Sequence, residues 1–221
     1  MSEGGEALLV VDVDHNNLWA PHVVEQFPER QKVKSAIEAV LKDWREREGL
    51  ILHVILPHLS AGFSGQESQV GYSAPEKNNA IFGFLERGRK SKNASGRKPG
   101  CLVCDSGEES RLAEFIQHRC DIEPAFAKRD SDAFQNGNIG KYLHSENVST
   151  VFLAGCNTSA CIWATAKGAL HYGFNVVLLA DCSFPILENT EYENNWVYSV
   201  LADFPSEYRD KLSVTRLAEG G

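Results

Sequence analysis

The sequence predicts an α/β protein with a doubly wound, mostly parallel six-stranded sheet and helices on both faces, a Rossmann-like three-layer arrangement. Three observations predict it. Short apolar runs without polar alternation recur along the chain, which suits strands buried on both faces. Segments with apolar residues at helical spacing separate these runs. Strand, helix and strand alternate, which implies right-handed crossovers and parallel pairing. The 221 residues are enough for one domain with a substantial core, and 1–221 reads as a single domain.

The elements follow in order. Residues 7–13, ALLVVDV, form a first strand that Asp12 interrupts. Residues 30–48 carry Val33, Ile37, Val40, Leu41 and Trp44 on one helical face, and Gly49 follows as a helix stop. Residues 50–56, LILHVIL, form the second strand and run into Pro57. Residues 60–99 are rich in Gly, Ser, Asn and Lys and read as a long loop insertion. Its basic cluster, Arg87, Arg89, Lys90, Lys92, Arg97 and Lys98, reads as solvated, with contact to an anionic ligand or partner as the alternative. Leu112, Phe115 and Ile116 make a helical stripe over 108–118, and 122–127 is a short third strand. Residues 150–154, TVFLA, are the fourth strand, and an Ala-rich helix over 159–172 ends at Gly173. Residues 175–180, NVVLLA, are the fifth strand, 194–204 a further helix, and 212–217, LSVTRL, the sixth strand.

Charge and composition exclude several roles. Lys and Arg number 22 against 30 Asp and Glu, a net charge of −8, so no cationic excess is there to neutralise the phosphates of a nucleic acid. No apolar run approaches the roughly 18 residues of a membrane span. The acidic start lacks the basic flank of a secretory signal, so a cytoplasmic protein without a membrane partner is expected. The cysteines are Cys101, Cys104, Cys120, Cys156, Cys161 and Cys182, and in a reducing compartment they are buried, metal-binding or catalytic. Cys101 and Cys104 have no second pair at metal-site spacing and read as unlinked thiols, while Cys120 and Cys182 read as packing residues.

Ligands of open α/β sheets sit at the carboxyl ends of the strands. The first strand is followed there by Asp12, Asp14, His15 and Asn16, the second by Pro57 and His58, and the third by Lys128. After the fourth come Gly155, Cys156, Asn157, Thr158, Ser159, Ala160 and Cys161. Cys161 falls in the first turn of the next helix, where free N–H groups and the helix dipole favour a thiolate and, beside it, an oxyanion. The alternative is a small buried residue facing the sheet, and position alone leaves both open. Cys156 is the rival thiol but precedes the helix. Asp12 is either a hydrogen-bonded structural carboxylate or a base. Lys128 is either a surface residue or a cation holding both anions. Trp19, Phe134 and Trp163 either sandwich a flat substrate or pack the core, and His15 and Asn16 are placed to hydrogen-bond it.

Three stretches together resemble the isochorismatase-like cysteine hydrolase superfamily. That group includes nicotinamidases, N-carbamoylsarcosine amidases, ureidoacrylate and biuret hydrolases, and isochorismatases. ALLVVDVDHN resembles the opening strand with its catalytic acid, here Asp12. AKRDSDAF resembles a K-x-x-x-S-A-F-like segment with its catalytic lysine, here Lys128. GCNTSACIWATAKGALHYGFNVVLLADC resembles the block G-x-x-T-x-x-C-V-x-A-T-A-x-D-A-x-x-x-G-Y, with the nucleophile at Cys161. The resemblance covers most of the chain outside 60–120.

The resemblance implies a Cys161, Asp12 and Lys128 triad acting on a small molecule through a thioester. It implies a cis peptide at Cys156–Asn157, an oxyanion hole from the backbone N–H groups of Asn157 and Cys161, and a dimer or tetramer. The chain also departs from the pattern. The D-x-H metal motif of nicotinamidases is replaced by Leu56, Pro57 and His58, and no second His stands at the family's spacing, so neither metal nor cofactor is expected. The Ser-Ala-Phe run becomes Ser131, Asp132, Ala133 and Phe134, and the helix Asp three residues past Thr-Ala becomes Gly168 or a neighbour of it. The retained Cys161 favours C–N bond hydrolysis of an amide, ureide or carbamoyl compound. A vinyl ether hydrolase and a non-catalytic binding protein on the same fold are the alternatives.

Overall fold

The computed structural model describes residues 4–14, 19, 21–26, 28–55, 112–119, 121–128, 130–135, 137–184 and 206–217. Six strands make one sheet: β1 (Gly5–Val11), β2 (Leu50–Ile55), β3 (Ala125–Ala127), β4 (Val148–Cys156), β5 (Asn175–Phe184) and β6 (Leu212–Thr215). Their order is β3-β2-β1-β4-β5-β6, and every pairing is parallel. Among the described residues the helices are α1 (Pro21–Gln26), α2 (Pro28–Glu46), α3 (Asn138–Ser145) and α4 (Trp163–His171).

The apolar runs are explained by burial on both faces. Along β1, Ala7, Leu9 and Val11 join one core cluster, while Leu8 and Val10 join another. The first cluster packs Ile139 and Leu143 of α3 and Ala166, Ala169 and Leu170 of α4 against the sheet. The second packs Ile37, Val40, Leu41 and Trp44 of α2 against the opposite face. A side-chain period of two thus sends alternate residues into two separate cores, and the result is three layers.

Several expected elements shift. The stop of α2 is Glu48, in the left-handed region at φ 53°, and not Gly49. Gly49 has another reason to lack a side chain, because a Cβ there would stand 2.6 Å from Cε3 of Trp44. The helix expected over 108–118 is, among the described residues, a single 3-10 turn, Glu114–Ile116. Leu112 bridges to Asp14 and the Ala113 N–H binds the Val13 carbonyl, so the exit of β1 claims the backbone a helix would need. Gln117 then closes the turn at φ 47°. The helix over 159–172 opens with a π-helical turn, Thr158–Ile162, ahead of α4. The sequence reading did not identify α1, α3 or the 3-10 segment Ser206–Lys211. The 60–99 insertion, the helix expected over 194–204, Cys101, Cys104 and Cys120 lie outside the described residues. Among the described residues no helix is long and apolar enough to cross a membrane.

Candidate active site

Parallel strands deliver their carboxyl ends to one edge of the sheet, and three of those ends build the site. Asp12 is the first residue beyond β1, in the left-handed region at φ 53°, with its N–H donating to the Val54 carbonyl at 2.7 Å. Lys128 follows β3, its N–H donating to the Ile55 carbonyl at 2.8 Å. Gly155, near the end of β4, has φ 118°, and a Cβ there would collide with the Val11 carbonyl. Only glycine lets β4 run this close to β1 before the chain turns into Thr158–Ile162. The Cys156–Asn157 peptide at that turn is cis, as the resemblance implied.

These strand ends bring Asp12, Lys128 and Cys161 together. The Lys128 ammonium stands 2.8 Å from Asp12 Oδ2, with the side chains 1% and 4% exposed. Cys161 is buried beside this pair, close enough for its thiol to feel the charges of both Asp12 and Lys128. Lys128 Nζ also donates to the Ser131 carbonyl at 3.3 Å. Buried opposite charges in contact offset part of each other's desolvation cost.

The electrostatics correct one expectation. The helix start predicted a depressed thiol pKa, but burial, followed by the Asp12 carboxylate, pushes the Cys161 thiol up, and Lys128 opposes this only in part. Burial pulls the Lys128 ammonium down, but Asp12 and Cys161 outweigh it and hold its pKa above the ordinary value. The resting arrangement is therefore an Asp12–Lys128 ion pair beside a neutral thiol. A thiol in this state needs a base at the moment of attack, and the carboxylate is in place to be one.

Thr165 braces the arrangement from α4. Its Oγ1 donates to the Ser131 carbonyl at 3.4 Å and accepts the Ala133 N–H at 3.2 Å. It stands one helical turn beyond Cys161, so the helix carrying the thiol also grips the turn that receives Lys128. The two departures noted around this turn meet in space. Asp132 Oδ1 accepts the Phe134 N–H at 2.8 Å, and a Cβ on Gly168 would run into the Asp132 carboxyl. The turn's carboxylate occupies the space that the bare Gly168 leaves, and burial raises its pKa.

The remaining expected residues divide. Phe134 is fully buried in the core between Tyr172 and Phe174, with ring centroids at 5.6 and 5.8 Å. Trp19 lies in the opposite core against Phe115, and its Nε1 donates to Cys156 Sγ at 3.3 Å. Trp163 is half-buried beside the first core, with Lys167 over its ring at 5.9 Å. Asn157 occupies the turn after β4, its carbonyl accepting the N–H groups of Ala160 and Ile162, each at 3.1 Å. His15, Asn16, Pro57 and His58 lie outside the described residues. Sequence reasoning missed Thr165 as a site residue, although its spacing from Cys161 was the signal. It also missed the Trp19–Cys156 bond, which joins residues 137 positions apart and leaves no local trace.

Comparison with known proteins adds family to geometry. A 60-residue stretch is 38% identical to the maleamate amidohydrolase of Pseudomonas putida, covering 27% of this chain and 28% of that protein. The match thus spans little more than a quarter of that relative. Among solved structures, an isochorismatase family protein from Desulfovibrio vulgaris superposes with a TM-score of 0.60 at 16% identity, over 96% of this chain and 94% of that one. The N-carbamoylsarcosine amidase of Thermoplasma acidophilum gives 0.57 at 19% identity, over 98% and 99% of the two chains. The nicotinamidase of Staphylococcus aureus gives 0.53 at 15%, over 91% and 96%. At these identities the superpositions speak for the fold. The isochorismatase domain profile matches residues 6–191, most of the chain, and on that match the protein belongs to the isochorismatase domain family.

Proposed function

We propose that the protein is a cysteine-dependent hydrolase that cleaves the C–N bond of a small amide, ureide or carbamoyl compound through a thioester. The observation that carries this reading is a buried carboxylate–ammonium pair with a buried thiol beside it at the carboxyl edge of the sheet. In the proposed cycle, Asp12 takes the Cys161 proton as sulfur attacks the carbonyl carbon. Lys128 balances the negative charge as it moves. The backbone N–H groups of Asn157 and Cys161 receive the oxyanion. Asp12 returns its proton to the departing nitrogen, the C–N bond breaks, and the acyl group remains on sulfur. Water then gives a proton to Asp12 and attacks the thioester, and the thiol is restored. The likeness to the maleamate amidohydrolase supports an amide as substrate and leaves its identity open.

The test is Cys161→Ala on a panel of small amides, ureides and carbamoyl compounds, with intact-mass trapping of the wild type. Turnover is expected to fall by about 10⁴-fold or more, and quenched wild type to carry an acyl adduct on Cys161. Unchanged turnover in the variant would overturn the assignment of the nucleophile.

A further inference from the structure

The backbone of Asp12 is held at both ends. Its N–H is taken by the Val54 carbonyl at 2.7 Å, which is ordinary ladder bonding to β2. On the other side the ladder to β4 has run out, since the last paired residues of β1 and β4 are Val11 and Gly155. The Asp12 carbonyl is instead met by a side chain, with Cys156 Sγ donating to it at 3.0 Å. The same sulfur accepts the Trp19 indole N–H at 3.3 Å. A chain of two bonds therefore runs from Trp19 through Cys156 to the peptide that carries the Asp12 side chain. Cys156 and Trp19 are each 2% exposed, so no water competes for these bonds.

Asp12 needs such a hold. Its φ of 53° is a conformation an L-residue adopts reluctantly, and a small backbone rotation there would swing the carboxylate away from Lys128 and Cys161. Resting on the hydrolase reading above, we infer that Cys156 is a positioning residue, which fixes the Asp12 backbone through its thiol and is itself aligned by Trp19. Its chemistry suits the task. Burial, and then the Asp12 charge, push this thiol well above its ordinary pKa, so it remains an S–H donor. Of the two thiols near the strand end, one is thus a fixed donor, and the other, Cys161, faces the charges.

The test compares Cys156→Val, which fills similar volume without a donor, with Cys156→Ser, which restores one. Two quantities are read: kcat against KM on whichever panel compound the wild type hydrolyses, and the pH midpoint of Cys161 alkylation by iodoacetamide, followed by peptide mass. In Cys156→Val, kcat is expected to fall roughly tenfold with KM within about twofold, the size of one lost hydrogen bond. The alkylation midpoint should also move down, because a displaced Asp12 carboxylate raises the Cys161 thiol less. Cys156→Ser should recover most of both, and Trp19→Phe should show the same changes more weakly. Equal effects of Val and Ser, or a midpoint that stays put in Val, would overturn the inference. If no compound is hydrolysed by the wild type, the hydrolase reading fails, and the alkylation midpoint still decides the role of Cys156.

Discussion

β3 is three residues long and has a buried carboxylate at one end and a buried ammonium at the other. Before it, Glu123 receives Arg45 Nε at 2.6 Å, Arg45 Nη2 at 2.9 Å and His53 Nε2 at 2.9 Å. The Arg45 fork is further spent on the Ile116 carbonyl at 2.8 Å, and His118 donates to the Glu123 carbonyl at 2.7 Å. After it, Lys128 meets Asp12 and Cys161. Both clusters are buried ion pairs, but they hold their protons differently. Burial resists the charge on Glu123, yet the His53 and Arg45 bonds overcome that and bring its carboxyl down to about 2. Both oxygens of the Glu123 carboxylate are met by donors fixed in place, which makes this the inert cluster of the two. The second cluster includes a thiol raised above its ordinary pKa beside a carboxylate able to take its proton. What separates the two clusters is the thiol proton beside Asp12, not burial or charge, and the hydrolase proposed above rests on that proton.

The sharpest way to break this comparison is Asp12→Asn. Loss of the base should lower turnover by about 10³-fold. The same change should make the Cys161 thiol more acidic, because Asp12 raises it and the remaining Lys128 lowers it. Iodoacetamide labelling of Cys161 near neutral pH should therefore speed up while catalysis is lost. A variant in which labelling slows would show that Asp12 does not act on that thiol.

The inert cluster should respond in stability alone. Glu123 is held at about 2 in the folded protein against 4.5 for the free group, so the unfolded chain binds the extra proton between those values. Its contribution, about 3 kcal/mol, is complete above the unfolded value and is lost as pH falls toward the folded one. His53 acts in the same direction. Burial lowers its pKa, so acid below 6.5 favours the unfolded chain. Urea midpoints should drop steeply from pH 6 to pH 3 in the wild type. Glu123→Gln should be less stable by about 3 kcal/mol at neutral pH and have a flatter acid limb, with kcat unchanged. A Glu123→Gln acid limb as steep as that of the wild type would show that another group controls acid unfolding.

The two clusters also differ in how far the sequence exposed them. Apolar runs marked the strand ends, and the strand ends marked Asp12, Lys128 and Cys161, because a parallel sheet collects its carboxyl ends on one edge. The Glu123 cluster had no such signal. Arg45 looks like one more cation on an amphipathic helix, and its partner lies 78 positions away. His53 sits within an apolar strand and gains meaning only when Pro124 of the neighbouring chain segment pairs with it. Local periodicity likewise misled over 112–116, where a bridge to Asp14 and a short turn bury Leu112 and Ile116 and leave Phe115 partly buried. The π-helical turn under Cys161 has no sequence signature, and the dipole argument gave the wrong direction for the thiol because burial and the Asp12 charge, which only the fold sets, push it up.

Thr165 tests whether the reactive cluster depends on its scaffold as the inert one does. Its hydroxyl bridges the Ser131 carbonyl and the Ala133 N–H, and Ser131 in turn receives Lys128 Nζ. Thr165→Val keeps the shape and leaves the buried Ala133 N–H without this acceptor, which should cost about 1–2 kcal/mol of stability. It should also loosen the turn that seats Lys128 and lower kcat several-fold. Thr165→Ser keeps the hydroxyl but removes a buried methyl, so it should lose about 1 kcal/mol of stability and retain kcat. Activity and stability would then separate between two variants of one residue. If both variants lost stability alone, with kcat intact, Lys128 would be held by Asp12 and its own strand, and α4 would play no part in seating it.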